Sequence, residues 1–187
     1  RSEMGICLNP GNGAFREAMA SEIFVDKTEM IDYLNSVART KQKYVCVSRP
    51  RRFGKTMAAD MLRAYYDREA DSRHLFEQCK LSRLKKQADE PGWDVYLGGF
   101  DVIRLVMADF FKSGISIDKG LEKLQRIVTR SLVKAYPEVD YYDKSDLIQS
   151  FADVYDETKV QFVIIIDEWD AVLRECEEDE DGQRMYL

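Results

Sequence analysis

The chain has 187 residues, of which 45% are hydrophobic and 33% are charged; this is typical of a folded globular protein and excludes a disordered one. Lys and Arg number 28 and Asp and Glu number 34, so the formal net charge is −6 and the chain lacks the overall positive charge of a nucleic-acid-binding protein. No apolar run approaches the roughly 20 residues that span a bilayer, and no signal peptide is visible.

The four cysteines are widely separated and form no C-x-x-C pair, which argues against a zinc site and against a disulfide framework. Reduced thiols in the cytoplasm are the simpler interpretation. The first residues, Arg1-Ser2-Glu3-Met4, have the form of a cloning remnant before a native Met4, although a start inside a longer protein would look the same.

The first predicted elements are a turn-rich loop over residues 9–13 and a short helix over residues 15–20. Thr28 is then a suitable N-cap for a helix whose apolar residues recur at helical spacing. These apolar residues are Ile31, Leu34 and Val37 or Ala38. We predict an N-terminal loop and short helix over residues 1–23, and a main domain over residues 24–187.

A short apolar strand at residues 44–47 is followed by a tight basic loop and by Gly54-Lys55-Thr56 at the start of a helix. This is the order of a phosphate-binding P-loop, because the free amides and the dipole at a helix N-terminus favour phosphate. Lys55 would reach the β- and γ-phosphates of a nucleoside triphosphate, and the Thr56 hydroxyl would bind Mg²⁺. The residues predicted to bind the nucleotide are Arg49, Pro50, Arg51, Arg52, Phe53, Gly54, Lys55 and Thr56.

The loop departs from the general pattern G-x-x-x-x-G-K-[ST] at Arg49, which stands where the first glycine is expected. Pro50 fixes one φ angle and offers another way to turn the loop. The arginines at 49, 51 and 52 could contact phosphate, form a local patch for a nucleic-acid backbone, or pair with carboxylates elsewhere. Three guanidinium groups cannot all reach one triphosphate, so we favour a mixed role in which Arg51 or Arg52 is structural.

The helix after the loop has a broad apolar face, as expected of a helix that packs on a sheet. A second strand, mostly buried, is predicted at residues 101–107. A long helix follows, which Ser116 or Asp118 can cap and which Pro137 ends, and another amphipathic helix begins at Ser145.

The most apolar stretch is residues 162–166, which runs into Asp167-Glu168-Trp169-Asp170. Its continuous β-branched residues predict a strand that is covered on both faces, in the middle of a parallel sheet. Strands that alternate with helices indicate the α/β class with right-handed crossovers.

Ligands collect at the carboxyl ends of the strands in open α/β sheets, where both the basic loop and Asp167 are expected. Asp167 would hold Mg²⁺, usually through a water, and Glu168 would polarise the water that attacks the γ-phosphate. Taken alone, the Asp-Glu pair fits a strand that runs into a polar loop equally well. Together with the P-loop it favours nucleotide binding, with ATP and Mg²⁺ as cofactors and with Lys55 and Glu168 as the catalytic residues.

Three stretches together, residues 24–28, 48–56 and 165–170, resemble the bacterial AAA-ATPase-like family of P-loop proteins. In that family the loop reads R-P-R-R-F-G-K-[ST] and the strand end reads D-E-[YW]-D, so Arg49 is a feature of the family. The resemblance covers nearly the whole chain. It makes the basic loop a variant Walker A motif and Asp167-Glu168 a Walker B motif.

The resemblance implies a P-loop NTPase-type, three-layer α/β fold with a mostly parallel sheet and an additional strand between the two motif strands. Many relatives also carry a C-terminal nuclease-like domain of the PD-(D/E)XK type. By analogy with related ATPases, residues 24–26 would lie near the adenine; an N-terminal packing element is the alternative. The last strands, the γ-phosphate sensor and any arginine finger would follow Leu187, so we expect a domain that is incomplete at its C-terminus and doubtful in turnover alone.

The leading hypothesis is a Mg²⁺-dependent ATPase that drives a partner or a C-terminal domain. A non-hydrolysing, nucleotide-binding regulatory module is the alternative. A small-molecule kinase is disfavoured, because Glu168 directly after Asp167 indicates activation of water. Nucleic-acid binding by the three loop arginines is a weaker option, and no membrane partner is expected.

Overall fold

The computed structural model describes residues 2–3, 6–38 and 55–175. The predicted strand at residues 44–47, the loop residues Arg49 to Gly54 and the acidic segment after Glu175 lie outside the described residues. The chain divides into two compact units, one formed by Asn9–Val102 and the other by Arg1–Leu8 with Ile103–Leu187.

The described elements include both strands and helices, with helices between β2 and β3 and between β3 and β4, which confirms the α/β class. The strands are β1 (Ser2–Glu3), β2 (Ile6–Leu8), β3 (Asp101–Val106) and β4 (Phe162–Asp167). The helices are α1 (Gly13–Met19), α2 (Glu29–Ala38), α3 (Lys55–Tyr66), α4 (Arg73–Phe76), α5 (Ile117–Ala135), α6 (Leu147–Thr158) and α7 (Ala171–Glu175). Short 3₁₀ turns lie at Lys80–Arg83 and Met107–Asp109.

The four strands form one sheet in the order β1-β2-β3-β4. β3 and β4 run parallel, whereas β1 pairs antiparallel with β2 and β2 pairs antiparallel with β3, with Cys7 opposite Arg104. The expectation of a mostly parallel sheet is therefore wrong for the strands that the structure describes. Strands of two and three residues are too short to show an alternating pattern, so the sequence does not predict β1 and β2.

Strand β4 lies where residues 162–166 predict it, but it is not covered on both faces. Phe162 packs edge-on against Phe151 of α6, with ring centroids 5.0 Å apart, whereas Ile164 and Ile166 are 48% and 52% exposed. In the described sheet β4 is also the last strand of the order and not a central one. A run of β-branched residues indicates strand propensity, and it does not by itself report burial.

The core of the unit that contains β4 is built on α5. Ser116 caps this helix by accepting a hydrogen bond from the Lys119 amide at 3.4 Å, which confirms one of the two predicted caps. Val128 packs with residues of β3, and Leu132 packs with residues of α6. The predicted next helix begins at Leu147, two residues after Ser145, because Asp146 is its N-cap.

Gly120, on the buried face of α5, packs directly against an aromatic ring. A Cβ at this position would lie 2.5 Å from Cδ1 of Phe111 and 3.2 Å from the carbonyl oxygen of Phe110. Phe111 is fully buried and cannot move aside cheaply. The close packing of helix and ring therefore requires glycine, although glycine is a poor helix former.

We expect Gly120→Ala to destabilise the protein by about 1–2 kcal/mol, because the overlap with Phe111 outweighs the gain in helix propensity. Urea unfolding followed by circular dichroism measures the effect. Gly13→Ala is the matched control: Gly13 also lies in a helix, nothing is within 4 Å of a Cβ there, and alanine is expected to stabilise by about 0.5 kcal/mol. A Gly120→Ala variant more stable than the wild type would contradict the packing argument.

The unit formed by residues 9–102 has an aromatic core. Phe15 of α1 stacks on Phe76 of α4, with ring centroids 5.1 Å apart, and Tyr65 of α3 meets the same ring edge-on at 5.4 Å. All three side chains are at most 1% exposed. The helix that follows the predicted P-loop is thus fixed against the N-terminal helix through Phe76.

The thiol of Cys79 lies in the same unit and is buried. It donates a hydrogen bond to the carbonyl oxygen of Leu75 at 3.3 Å, and burial raises the pKa of the thiol to about 11. The group is therefore protonated at neutral pH and is not a nucleophile.

Candidate functional site

Helix α3 begins at Lys55, at the point where the sequence predicts a phosphate-binding helix N-terminus. Thr56, in the first turn, is exposed, and no acidic residue lies in that turn to offset the partial positive charge of the helix end. Ala59, Met61 and Ala64 are buried and hold the helix to its unit. The first turn therefore offers a hydroxyl and a favourable potential to an anion.

A buried polar network fixes α3 to α2. Asn35 of α2 donates from Nδ2 to Oη of Tyr65 at 3.0 Å, and its Oδ1 accepts from the hydroxyl of Tyr66 at 2.7 Å. The Tyr65 hydroxyl donates in turn to the carbonyl oxygen of Trp93 at 2.7 Å. Burial raises the pKa of Tyr66 above its usual range, so the phenol stays neutral and keeps its role as donor.

The segment before α2 has a packing role in the structure. Phe24 meets Phe15 edge-on, with ring centroids 6.1 Å apart. Asp26 accepts hydrogen bonds from the Thr28 hydroxyl at 2.7 Å and from the Lys80 amide at 2.7 Å, and Thr28 accepts from the Leu81 amide at 3.1 Å. Burial alone would raise the pKa of Asp26, but the bonds from Thr28 and Lys80 outweigh it and lower that pKa.

A narrow apolar crevice separates this segment from the first turns of α3. It is lined by Phe24, Val25, Met57 and Met61, among others, and its volume is about 10 Å³. That is the space that one water molecule needs, so the crevice in its present form does not admit a purine. The packing interpretation of residues 24–26 is the one that these contacts support.

Asp167 is the last residue of β4 and lies at the carboxyl end of the strand. Its Oδ2 accepts a charge-assisted hydrogen bond from Nη2 of Arg104 at 2.7 Å, and its Oδ1 accepts from the Glu168 amide at 3.0 Å. The Asp167 side chain is 17% exposed, so its carboxylate is partly sheltered and still open to solvent. These contacts hold the carboxylate in one orientation.

The backbone of Glu168 is left-handed, with φ 53°, a conformation that costs a residue with a Cβ about 1–2 kcal/mol. Its carbonyl oxygen accepts a hydrogen bond from the Ala171 amide at 2.9 Å, at the start of α7. The Glu168 side chain is exposed and its carboxylate has no hydrogen-bond or ion-pair partner among residues 8–38 and 56–174. A strained residue with an uncommitted carboxylate at a strand end is typical of a functional site.

No motif or spacing in the sequence identifies Arg104 as a site residue. It lies in β3, which was predicted as a mostly buried strand, and its Nε is buried without a hydrogen-bond partner in the described structure. The available signal was a cation in an otherwise apolar strand, because a buried guanidinium requires a carboxylate partner. That partner is Asp167.

A search against protein-family models matches residues 13–186 to a family described as predicted AAA-ATPase. The match spans both the basic loop and the end of β4. The chain belongs to this family of predicted AAA-ATPases. No curated protein and no solved structure matches the chain.

Membership of this family of predicted AAA-ATPases implies that the protein binds a nucleotide. Thr56 belongs to the unit formed by residues 9–102, whereas Asp167 and Glu168 belong to the other unit, so the structure describes the two halves of the predicted site separately. For Lys55 it describes the backbone, and residues Arg49 to Gly54 lie outside the described part of the chain. Their roles stay predictions.

Two general features of the described residues are relevant to this member of the family. Within the described ranges, no group of three or more His, Cys, Asp or Glu side chains is placed to hold a metal ion. Among the same residues, no helix combines the length and the apolar character that crossing a bilayer requires. The three-layer P-loop arrangement stays a prediction, since no solved structure matches.

Proposed function

We propose that the protein binds ATP with Mg²⁺ at the N-terminus of α3 and hydrolyses it with Glu168 as the general base. The observation that carries the proposal is the Asp167-Glu168 pair at the carboxyl end of β4, in a chain matched to predicted AAA-ATPases over residues 13–186. In this proposal the residues that contact the triphosphate are Arg49, Pro50, Arg51, Arg52, Phe53, Gly54, Lys55 and Thr56.

The donor set fits a magnesium ion. Mg²⁺ takes hard oxygen ligands and keeps several waters, so a hydroxyl and one carboxylate beside phosphate oxygens are sufficient. Thr56 is exposed and Asp167 is partly exposed, and both would hold the ion. When bound, Mg²⁺ would neutralise charge that develops on the phosphate oxygens.

The protein groups have separate tasks in this scheme. Lys55 would bind the β- and γ-phosphate oxygens as a point charge. Arg104 holds Asp167 in place, and the Glu168 carboxylate, which has no partner in the described ranges, is free to accept a proton from water. The proton would pass to the Glu168 carboxylate while the water attacks the γ-phosphate.

A non-hydrolysing regulatory module is the second candidate, and one observation favours it. Both carboxylate oxygens of Asp167 already accept hydrogen bonds, from Arg104 and from the Glu168 amide. A carboxylate held in this way binds a metal less readily, because each new contact competes with an existing one. In either case we infer that nucleotide binding acts on a partner or on a further domain, and the family resemblance suggests that this domain is nuclease-like. We also infer that the protein acts in the cytoplasm.

Thermal unfolding with and without ATP tests nucleotide binding directly. At an ATP concentration of 100 times Kd, binding to the folded state adds about 2.7 kcal/mol, which corresponds to a rise in Tm of about 5–10 °C for a chain of this size. We expect the rise to shrink when EDTA removes Mg²⁺ and to disappear in Lys55→Ala.

Lys85→Ala is the matched control for this experiment, because Lys85 is an exposed lysine of the same unit. It is expected to keep the full ATP-dependent rise in Tm. No rise for the wild-type chain at millimolar ATP with Mg²⁺, or an equal rise in Lys55→Ala, would overturn the proposal.

A further inference from the structure

An open groove lies on the solvent side of α5, in the unit that contains β4. Its volume is about 720 Å³, which is in the range of small-ligand sites. Residues of α5 form one wall, and Lys144 and Ser145, before α6, form the other. The residues that line it are Glu122, Gln125, Arg126, Arg130, Val133, Lys134, Lys144 and Ser145.

The α5 wall of this groove is part of a continuous basic stripe. Five cations recur at intervals of three or four residues, which places them on one face of the helix. The first and last of these cations are 15 steps apart along the helix, so the stripe is about 22 Å long. Its members are Lys119, Lys123, Arg126, Arg130 and Lys134. The opposite face, with Val128 and Leu132, is buried, so the stripe has a fixed orientation toward solvent.

Four cations and one acid are among the described residues that line the groove. The side chains of Arg126 and Arg130 make no salt bridge or hydrogen bond with any residue of 8–38 or 56–174. Lys144 lies over the ring of Tyr141, 6.0 Å from its centroid, and Glu122 is the one acid among the lining residues. In a chain whose net charge is −6, this concentration of cations indicates a site for an anionic ligand.

We propose that the groove binds the phosphate backbone of single-stranded nucleic acid. Arginines spaced along a helix present several planar donors in a row, which suits a ligand with repeated phosphates. Tyr142 is 88% exposed and lies two residues before Lys144. We infer that a base stacks on this ring, because a basic groove combined with an aromatic surface is the usual arrangement for single strands.

The concave shape favours a single strand over a duplex. A groove of about 720 Å³ admits a sugar-phosphate segment, whereas a rigid duplex would contact only the rim. None of the described residues that line the groove belongs to the proposed ATP site, so binding of nucleic acid in the groove is predicted independently of nucleotide binding. If ATP did not bind, the proposal that the groove binds nucleic acid would be unaffected. If nucleic acid did not bind, the proposal of ATP binding would be unaffected.

Fluorescence anisotropy of labelled dT20 with the whole chain, over a range of salt concentrations, tests the proposal. If four cations of the groove contact phosphates, the slope of log K against log salt is about −3. Arg126→Gln with Arg130→Gln is expected to halve that slope and to weaken binding about 25-fold at 0.1 M salt. Arg126→Lys with Arg130→Lys keeps the charge and is expected to keep the slope.

The control variant is Arg83→Gln with Lys85→Gln, which changes the net charge equally at exposed residues of the other unit. It is expected to bind dT20 with nearly the wild-type slope. Absence of measurable binding, unchanged affinity in the Arg126 and Arg130 double glutamine variant, or equal binding of polyglutamate would overturn the proposal. Tighter binding of a 20-base-pair duplex than of dT20 would overturn the assignment to single strands.

Discussion

Glu168→Gln is expected to lower ATP turnover by about 10²–10⁴-fold, the usual loss when a general base is removed, while ATP binding is retained. Glutamine has nearly the same shape but cannot accept the proton of the attacking water. The side chain is exposed and its carboxylate makes no hydrogen bond or ion pair with residues 8–38 or 56–174, so we expect the fold to be unchanged. Phosphate release measures turnover, and equilibrium titration with a fluorescent ATP analogue measures binding.

Asp170→Asn provides a matched control, because Asp170 is a carboxylate in the same turn. It makes a long ion pair with Arg174 at 3.4 Å and has no proposed role in hydrolysis. We expect this variant to keep its turnover. If Glu168→Gln hydrolysed ATP at the wild-type rate, the assignment of Glu168 as the base would be wrong. If the wild-type chain bound ATP with no measurable turnover, the regulatory module would be the better description.

Asn35→Leu is expected to destabilise the fold by about 3 kcal/mol, which corresponds to a fall in Tm of about 6–12 °C. Leucine keeps the branching of asparagine, with two methyl groups in place of the amide oxygen and nitrogen, so the change removes both hydrogen bonds of the side chain. It leaves the buried hydroxyl of Tyr66 without its acceptor and removes the donor to Tyr65. Chemical denaturation followed by circular dichroism gives the free energy of unfolding.

The double variant Asn35→Leu with Tyr66→Phe distinguishes the loss of the hydrogen bonds from a change in side-chain packing. Removing the stranded hydroxyl as well is expected to recover part of the stability, because a buried polar group costs most when its partner alone is removed. A loss below about 0.5 kcal/mol for Asn35→Leu would show that the network does not fix α3 to α2. A double variant less stable than Asn35→Leu would point to a packing role for the Tyr66 hydroxyl.

The long periodic elements could be predicted from the sequence. The α5 helix is 19 residues long, with a buried stripe and a suitable N-cap, and β3 and β4 stand out as apolar runs. Such signals are local, since they depend on residue spacing and on side-chain propensity along one segment. The family resemblance likewise depends on contiguous motifs, and the family match confirms it.

The polar contacts that organise the site could not be predicted in this way. Asn35 lies among the predicted apolar positions of α2, and its partners Tyr65 and Tyr66 are about 30 residues away in the chain. Arg104 and Asp167 are separated by 63 residues. No periodicity links such pairs, because the contact depends on how helices and strands meet in three dimensions. The packing role of Asp26 and Thr28 depends on a 3₁₀ turn some 50 residues later. The sequence alone does not decide between this role and a position near the adenine for the same reason.

The contact between Gly120 and Phe111 also constrains how this family can diverge. The ring occupies the space that any larger residue at position 120 would need. A relative with alanine or serine at this position must therefore have a smaller side chain in place of Phe111, or the helix must sit farther from the 3₁₀ turn before it. We expect the two positions to vary together among homologues, with glycine retained wherever the aromatic ring is present.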